Sequence, residues 1–352
     1  VRLAPVYPET NRMRTLVVKS AKMTNDESTH SANISYAMLK DWFYSLESAE
    51  VSTGVSGTSY ARVTNDKEEI PTYARYTDAN FFRVFPLVFL EGKPFTEADR
   101  RSGIHNVVLT DSYAQQLFGT TKGVVGKNFL MDYTNVKVVG VVKSGSFLTP
   151  DSYAQVYLPY SCRDGYDDEG SHWALGGYRV YILMKESKSV TDVQDEVLEL
   201  VRKFNVSDMG DGWKLDLVGQ PELYWHSTFR LWSNVAVDWG REIWMFVGIF
   251  MVLLFVPAFN LSGMISARME RQLPDLGIRK AFGASRRRLL VQIIWENLLL
   301  TGLGTLLGLV IAWIVLALSG YEIFSLFEVF PKFPPKGVNL GMGIDMFFAP
   351  LI

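Results

Sequence analysis

The sequence runs to 352 residues, 48% of them hydrophobic and 20% charged, with a formal charge of −2 and a mean hydropathy of +0.08. That length fits about two domains, the apolar content excludes a disordered chain, and 35 basic against 37 acidic residues leave no concentrated cationic footprint for nucleic acid. The single cysteine, Cys162, excludes an intrachain disulfide and a cysteine-cluster metal site.

In chain order, residues 15–21 and 49–57 read as strands, with a helix over 35–46 between them. A short buried strand follows at 107–110, and Asp111 caps a helix that ends at Phe118. Valine-rich 136–142 and residues 178–184 are further strands. The helix over 190–204 carries Val193, Val197, Leu200, Val201 and Phe204 on one face, and 214–218 is a last strand. Strand–helix–strand order near both ends predicts an α+β domain over 1–228, with two βαβ-like halves and a β-rich lobe inserted at about 56–170. Pro221 suits the first position of a helix, so 221–242 is expected to form a stalk helix.

Beyond residue 242 the composition changes. Residues 1–242 hold 26 Lys/Arg and 31 Asp/Glu, a net of −5, whereas 243–352 hold 9 and 6, a net of +3. Residues 243–267 and 297–321 are two runs of 25 without a charge, each longer than the roughly 20 residues that cross a bilayer core. Helical spans are expected at 243–264 and 293–318, followed by an outer loop over 319–339 and, at 340–352, the start of another span. Because neither run is N-terminal and the opening residues lack an apolar signal core, a preceding membrane helix is expected upstream.

The segment between the runs, 265–290, carries Arg268, Arg271, Arg279, Lys280, Arg286, Arg287 and Arg288 against Glu270 and Asp275. A short loop this basic belongs on the cytoplasmic side, which places 1–242 outside. Lipid headgroups explain charges at the membrane border such as Arg286 to Arg288, but not the pattern GIRKAFGA. There Gly277 permits a tight turn, Gly283 and Ala284 permit another, and Ser285 is an N-cap for the helix beyond. A helix–turn–helix on the membrane surface would offer a knob to a soluble partner. Within the spans, Glu296 is costly in lipid and is expected at the cytoplasmic border, Asn260 marks the inner end of the first run, and Gly304 with Gly308 suits close helix packing.

No catalytic constellation is legible. His30, His105, His172 and His226 have no ligand spacing. Residues 123–127, GVVGK, fail the phosphate-loop spacing and are followed by Asn128 instead of Ser/Thr. Asp164, Asp167, Asp168 and Glu169 form an acidic stretch that reads as a solvated loop in preference to a cation site. No metal and no cofactor are expected, and an enzymatic role has no residue to support it.

The stretch NLSGMISARMERQLPDLGIRKAFGASRRRLLVQIIWENLLL resembles the cytoplasmic signature of MacB/FtsX-type ABC transporter permeases. Asn260, Arg268, Gly277, Ile278, Arg279, Lys280, Ala281, Gly283, Ala284, Gln292 and Glu296 match its pattern; Asp275 stands where Glu is usual, beside a less usual Pro274. Three earlier segments, DANFFRVFPLVFLEGKPFTEAD, NVVLTDSYAQQLFG and GVVGKNFLMDYTNVKVVGVVKSGS, resemble the family's periplasmic core domain in the expected order. The resemblance implies a multi-pass permease subunit in the bacterial inner membrane, coupled through Asp275, Gly277–Ala281, Gly283 and Ala284 to a separate cytoplasmic ATPase. It further implies a homodimer or paired permease, membrane lipid around the helices and a periplasmic adaptor or membrane-fusion partner. The work would be mechanotransmission for efflux of drugs, peptides or lipoproteins; the alternative is an FtsX-like regulator of a cell-wall hydrolase or peptide-sensing complex.

Overall fold

The computed structural model describes residues 14–319 except 58, 66–67, 146–150, 164, 168–172, 208–211, 231–232 and 284. The segments expected as an outer loop and a further span therefore lie outside the described residues from 320 onward. Two units divide at Val237/Asp238.

The first unit opens with β1 (Thr15–Val18), β2 (Ala21–Thr24), β3 (Thr29–Ile34), α1 (Tyr36–Asp41) and β4 (Ala49–Ser56). A long insertion follows: β5 (Ser59–Asn65), β6 (Glu68–Thr77), α2 (Phe81–Val84), β7 (Phe89–Gly92), α3 (Glu97–Arg101), β8 (Asn106–Thr110), α4 (Asp111–Phe118), β9 (Asn128–Met131), β10 (Thr134–Val142) and β11 (Val156–Pro159). The chain then returns through β12 (Leu175–Gly176), β13 (Tyr178–Met184), α5 (Val190–Val206), β14 (Lys214–Asp216) and β15 (Glu222–Leu223).

β13 lies between β1 and β4 and is antiparallel to both, while β1 also pairs with β15. The spatial order β15–β1–β13–β4 makes β1–α1–β4 and β13–α5–β15 two split βαβ units, each straddling a strand of the other. Alternation along the strands sorts their side chains between two cores. Leu16 and Val18 of β1, with Val180, Ile182 and Met184 of β13, pack against Met38 and Leu39 of α1 and Val193, Val197, Val201 and Phe204 of α5. Val17, Tyr181 and Leu183 point to the opposite core, closed by Phe81, Phe82 and Phe85. Strands buried on both faces read as continuous apolar runs, which is why TLVV and YRVYILM are legible as strands.

In the insertion, β6 pairs with β5, β5 with β9, β9 with β10, β10 with β8, β8 with β11, and β11 back with β6. These six strands close into a ring, which leaves none of them with a bare edge. Asp78, buried at the end of β6, receives the Thr53 hydroxyl at 2.6 Å and the Gly54 and Phe81 amides, and also bonds the Tyr44 hydroxyl. Burial still outweighs these bonds and raises its pKa.

A charge cluster joins the insertion to the split sheet. Asp151, 4% exposed, accepts from Arg179 of β13 at 2.7 Å and lies 3.9 Å from the ammonium of Lys19, in the turn after β1. Burial favours protonation of Asp151, but the fields of Lys19, Arg179 and buried Arg75 outweigh it and hold the carboxyl below its usual range.

The chain after β14 departs from the expected stalk helix. Val218 and Gly219 are left-handed, the Gln220–Pro221 bond is cis, Glu222–Leu223 is the edge strand β15, and His226–Phe229 is a single 3-10 turn. β15 finds backbone partners on the open edge of β1: Leu16 and Val17 face Leu223 and Glu222, and the Tyr224 amide donates to the Thr15 carbonyl at 3.0 Å. The Glu222 carboxylate is drawn inward by Arg230, 2.7 Å away, with both side chains buried. Helix begins only at Trp239, capped by Asp238, whose carboxylate accepts from the Arg241 amide.

The second unit is two helices, α6 (Trp239–Ala281) and α7 (Arg286–Ser319). Each contains a stretch long and apolar enough to cross a bilayer, Trp239–Ala267 and Arg286–Ala312, with no buried residue in its most apolar part. Soluble core helices of that composition are covered; these present Ile249, Phe250, Leu253, Leu299, Leu303 and Leu307 to the surroundings.

Replacing Asp151 with Ala should destabilise the first unit by about 3–5 kcal/mol, because buried cations lose their shared anion. Since the native carboxyl titrates below its unfolded value of about 3.9, the contribution is complete above that value and disappears as pH falls through the lowered one. Denaturant midpoints of wild type and Asp151→Ala, followed by tryptophan fluorescence, should therefore differ clearly at pH 7 and converge in acid.

Candidate functional site

The singled-out residues fall on α6, on a short turn and on α7. Asn260, Arg268, Asp275, Gly277, Ile278, Arg279, Lys280 and Ala281 belong to α6, and Gly283 to the turn; Arg286, Arg287, Arg288, Glu296, Gly304 and Gly308 belong to α7. Ala284 lies outside the described residues. The expected turn at Gly277 is not formed: α6 runs unbroken through Pro257, Pro274 and Gly277. Gly277 is helical, and a Cβ added there would meet nothing within 4 Å.

Reversal happens once, at Phe282–Gly283. Gly283 adopts φ +89°, which an L side chain resists. The Phe282 amide returns to the Ile278 carbonyl and the Gly283 amide to the Lys280 carbonyl, each at 3.1 Å, satisfying carbonyls that a helix end leaves open. On the far side, the Ser285 carbonyl accepts from the Arg288 and Leu289 amides at 3.0 and 3.2 Å and begins α7. Arg279 reaches across the turn, donating from its guanidinium to Gln292 Oε1 at 3.0 Å. That bond ties the last turn of α6 to the second turn of α7 and sets the splay of the hairpin.

The electrostatics of the two ends differ. Arg279 and Lys280 sit where a helix C-terminus favours cations. Arg286, Arg287 and Arg288 crowd an N-terminal turn with no acidic residue, where the dipole opposes each by about 0.3–1 kcal/mol. Helix stability therefore does not account for the three arginines. Between the two basic ends Phe282 protrudes at 87% exposure, and Ile278, just before Arg279, is 57% exposed. Phe282 carries no motif signal beyond its place immediately before the left-handed glycine, and sequence reasoning passed over it.

Deeper in α7, Asn297 donates to the Ile293 carbonyl at 2.9 Å and Thr305 to the Thr301 carbonyl at 2.8 Å, so these polar groups are satisfied within the helix. Added Cβ atoms at Gly304 and Gly308 would meet nothing within 4 Å, so neither glycine makes a close helix contact among the described residues.

The other candidates are absorbed by the fold. Lys127 of the GVVGK stretch sits 5.0 Å over the Phe118 ring, and the Gly126 amide is bonded to the Val138 carbonyl at 2.8 Å. His30 lies edge-on to Trp213, while His172, Asp164, Asp168 and Glu169 lie outside the described residues. Cys162 is half-buried, and burial pushes its thiol up to about 12. Among the described residues no group of three or more His, Cys, Asp or Glu side chains is arranged to hold a metal ion.

Comparison with known proteins accounts for both units. Residues 7–200 match the sequence profile of the MacB-like periplasmic core domain, and residues 245–351 that of the FtsX-like permease C-terminal region. The macrolide export ATP-binding/permease protein MacB of Escherichia coli O157:H7 is 22% identical over 268 residues, covering 74% of this chain and 39% of that protein. The proteins of the same name from E. coli K12 and Shigella flexneri give the same figures. This chain thus spans about two fifths of the length of the curated relatives it matches. Among solved structures, the periplasmic region of MacB from Actinobacillus actinomycetemcomitans aligns at 15% identity and a TM-score of 0.42, over 60% of this chain and 92% of that one. The extracellular domain of the ABC-type transporter YknZ from Gram-positive bacteria aligns at 16% and 0.39, over 56% and 99%.

The two glycines make opposite predictions. Gly283→Ala should strain the turn by about 1–2 kcal/mol and speed limited proteolysis at 282–285 of the detergent-solubilised chain. Gly277→Ala should leave that rate unchanged or lower it, since alanine gains up to about 1 kcal/mol over glycine in a helix.

Proposed function

The chain belongs to the MacB/FtsX-type ABC permease family, and on that premise we propose that it is the permease subunit of a transporter powered by a separate ATPase. In this reading α6 and α7 cross the cell membrane, the first unit stands outside, and the 278–288 turn docks on the ATPase in the cytoplasm. The observation that carries the reading is the turn itself: an 87% exposed phenylalanine flanked by five cations, between two uncovered apolar helices. Such a knob fits a groove that is apolar at its centre and acidic at its rim.

ATP would be hydrolysed by the partner, and its closure would move the hairpins of two permease copies. Movement of α6 would pass through the covalent link at Val237–Asp238 into β15 and so into the split sheet. Cargo would be handled outside the membrane, with export of drugs, peptides or lipoproteins as the substrate classes and an adaptor or membrane-fusion protein as the outer partner. Force transmission suits these helices better than conduction, because their polar side chains Asn297 and Thr305 are spent on their own backbone.

Co-expression with an ABC ATPase of the MacB type as a separate chain, followed by affinity capture, tests the docking. Phe282→Ala should lower ATPase recovery about tenfold or more, as loss of a central apolar anchor does. Gly277→Trp should do the same without disturbing the hairpin, whose glycine faces open space. Full recovery with both variants would refute the docking.

A further inference from the structure

The insertion carries a charge pattern that the proposed function leaves unused. Between residues 79 and 145 there are eight Lys or Arg against five Asp or Glu, a net of +3, within a part of the chain, 1–242, whose net is −5. All five acids are taken up internally. Glu91 accepts from the Val124 amide at 3.3 Å, and Glu97 is paired with Arg100 and Arg101. Asp99 accepts from the Thr96 amide at 2.7 Å, Asp111 from the Ser144 amide at 2.8 Å and Asp132 from the Arg62 amide at 2.7 Å. By contrast Lys93, Lys127, Lys137 and Lys143 are exposed, and among the described residues none of them forms an ion pair.

The register of β10 lines these lysines up. Lys137 lies in β10 opposite Asn128, and the Lys127 carbonyl accepts from the Val138 amide at 2.9 Å. The Lys93 amide donates to the Val139 carbonyl at 3.1 Å, and the Lys143 amide to the Val88 carbonyl at 2.8 Å. From 137 to 143 a strand runs roughly 20 Å, so the four cations follow one strand length. Aliphatic side chains are set among them. Val88 and Leu90, on and beside β7, are 58% and 53% exposed; Val125, 37% exposed, adjoins Gly126, whose amide donates to the Val138 carbonyl at 2.8 Å. β7 closes tightly on β10 because Gly92 faces Gly140, where an added Cβ would lie 2.9 Å from the Phe89 ring. The stripe is therefore presented on a fixed support, which lowers the ordering cost of binding.

We propose that this stripe docks an acidic, extended segment of a partner protein. Its carboxylates would meet Lys93, Lys137 and Lys143, and its apolar side chains would cover Val88, Leu90 and Val125. Surplus cations with no internal anion suit a partner of opposite charge, which they steer and select. A second copy of this chain fits poorly, because stripe against stripe sets lysine against lysine. A lipid surface fits poorly too, because the apolar groups are valines and a leucine without the large rings that seat a protein face in a bilayer.

Fluorescence anisotropy with full-length protein in uncharged detergent tests the docking. The probe is a fluorescein-labelled peptide of alternating Glu and Val, and its counterpart alternates Lys and Val. Wild type should bind the acidic peptide and not the basic one. The double variant Lys93→Glu with Lys143→Glu should weaken acidic-peptide binding about tenfold or more and gain the basic peptide, which also shows that it has folded. Leu90→Ser should weaken the acidic peptide without reversing the preference. Lys40→Glu with Lys214→Glu, an equal change of net charge on α1 and β14, should leave binding unchanged. Equal weakening by the two double variants, or no binding to wild type, would overturn the proposal. Displacement of the peptide by glycerophosphoglycerol would overturn it in favour of a lipid headgroup. Self-association in sedimentation that Lys93→Glu with Lys143→Glu abolishes would overturn it in favour of a second copy.

Discussion

The pairing of β1 on both edges is the constraint from which the first unit follows. With β13 on one side and β15 on the other, this four-residue strand forces the two βαβ units to interleave. It also brings the last strand of the unit beside the first. Once β1 is central, Leu16 and Val18 must lie under the helices and Val17 under the phenylalanine cluster. The six-stranded ring then hangs between β4 and β13 as an insertion, secured by Asp78 and by Asp151 with its cations. β15 is only two residues long, so its hold on β1 depends on reinforcement by the Glu222–Arg230 pair and Gln220. A buried pair of this kind adds little net energy, but loss of either partner is costly, which makes it a device for fixing geometry.

In the proposed function, movement of α6 would reach the split sheet through the chain that joins Asp238 to β15. The hairpin of α6 and α7 is fixed at one end by Gly283 and the Arg279–Gln292 bond. At its other end α6 begins at an Asp238 cap, a few residues after the Glu222–Arg230 pair. The three arginines of the first turn of α7 are set against the helix dipole, so the fold of the hairpin does not call for them.

Much of this was legible in the sequence, and the failures share a cause. Alternation and valine content gave away β4, β10 and β13, and the 190–204 apolar stripe gave α5, because local burial decides those segments. The two long apolar helices were legible from 25-residue uncharged runs, and the family from residues 260–296 together with three segments of the first unit. The stalk was misread because Pro221 and Glu222 satisfy helix-start rules locally, while the vacant edge of β1, some 200 residues earlier, takes them as a strand. Gly277 was misread as a turn for a similar reason: the reversal needs one left-handed residue, and Gly283 supplies it. The ring closure between β11 and β6, some 80 residues apart, has no local signature at all. Phe282 has no signature of its own in the sequence, because its exposure follows from the reversal at Gly283.

Everything functional depends on the first unit and the basic turn facing opposite sides of one membrane. The decisive experiment labels Tyr133→Cys, at an 83% exposed hairpin tip, and Phe282→Cys, at 87% exposure, each in a Cys162→Ser background, with a membrane-impermeant maleimide. In intact spheroplasts Tyr133→Cys should react at once and Phe282→Cys only after the membrane is broken. Equal reaction of both in intact cells would place them on one side and remove the basis for coupling an inner ATPase to an outer domain.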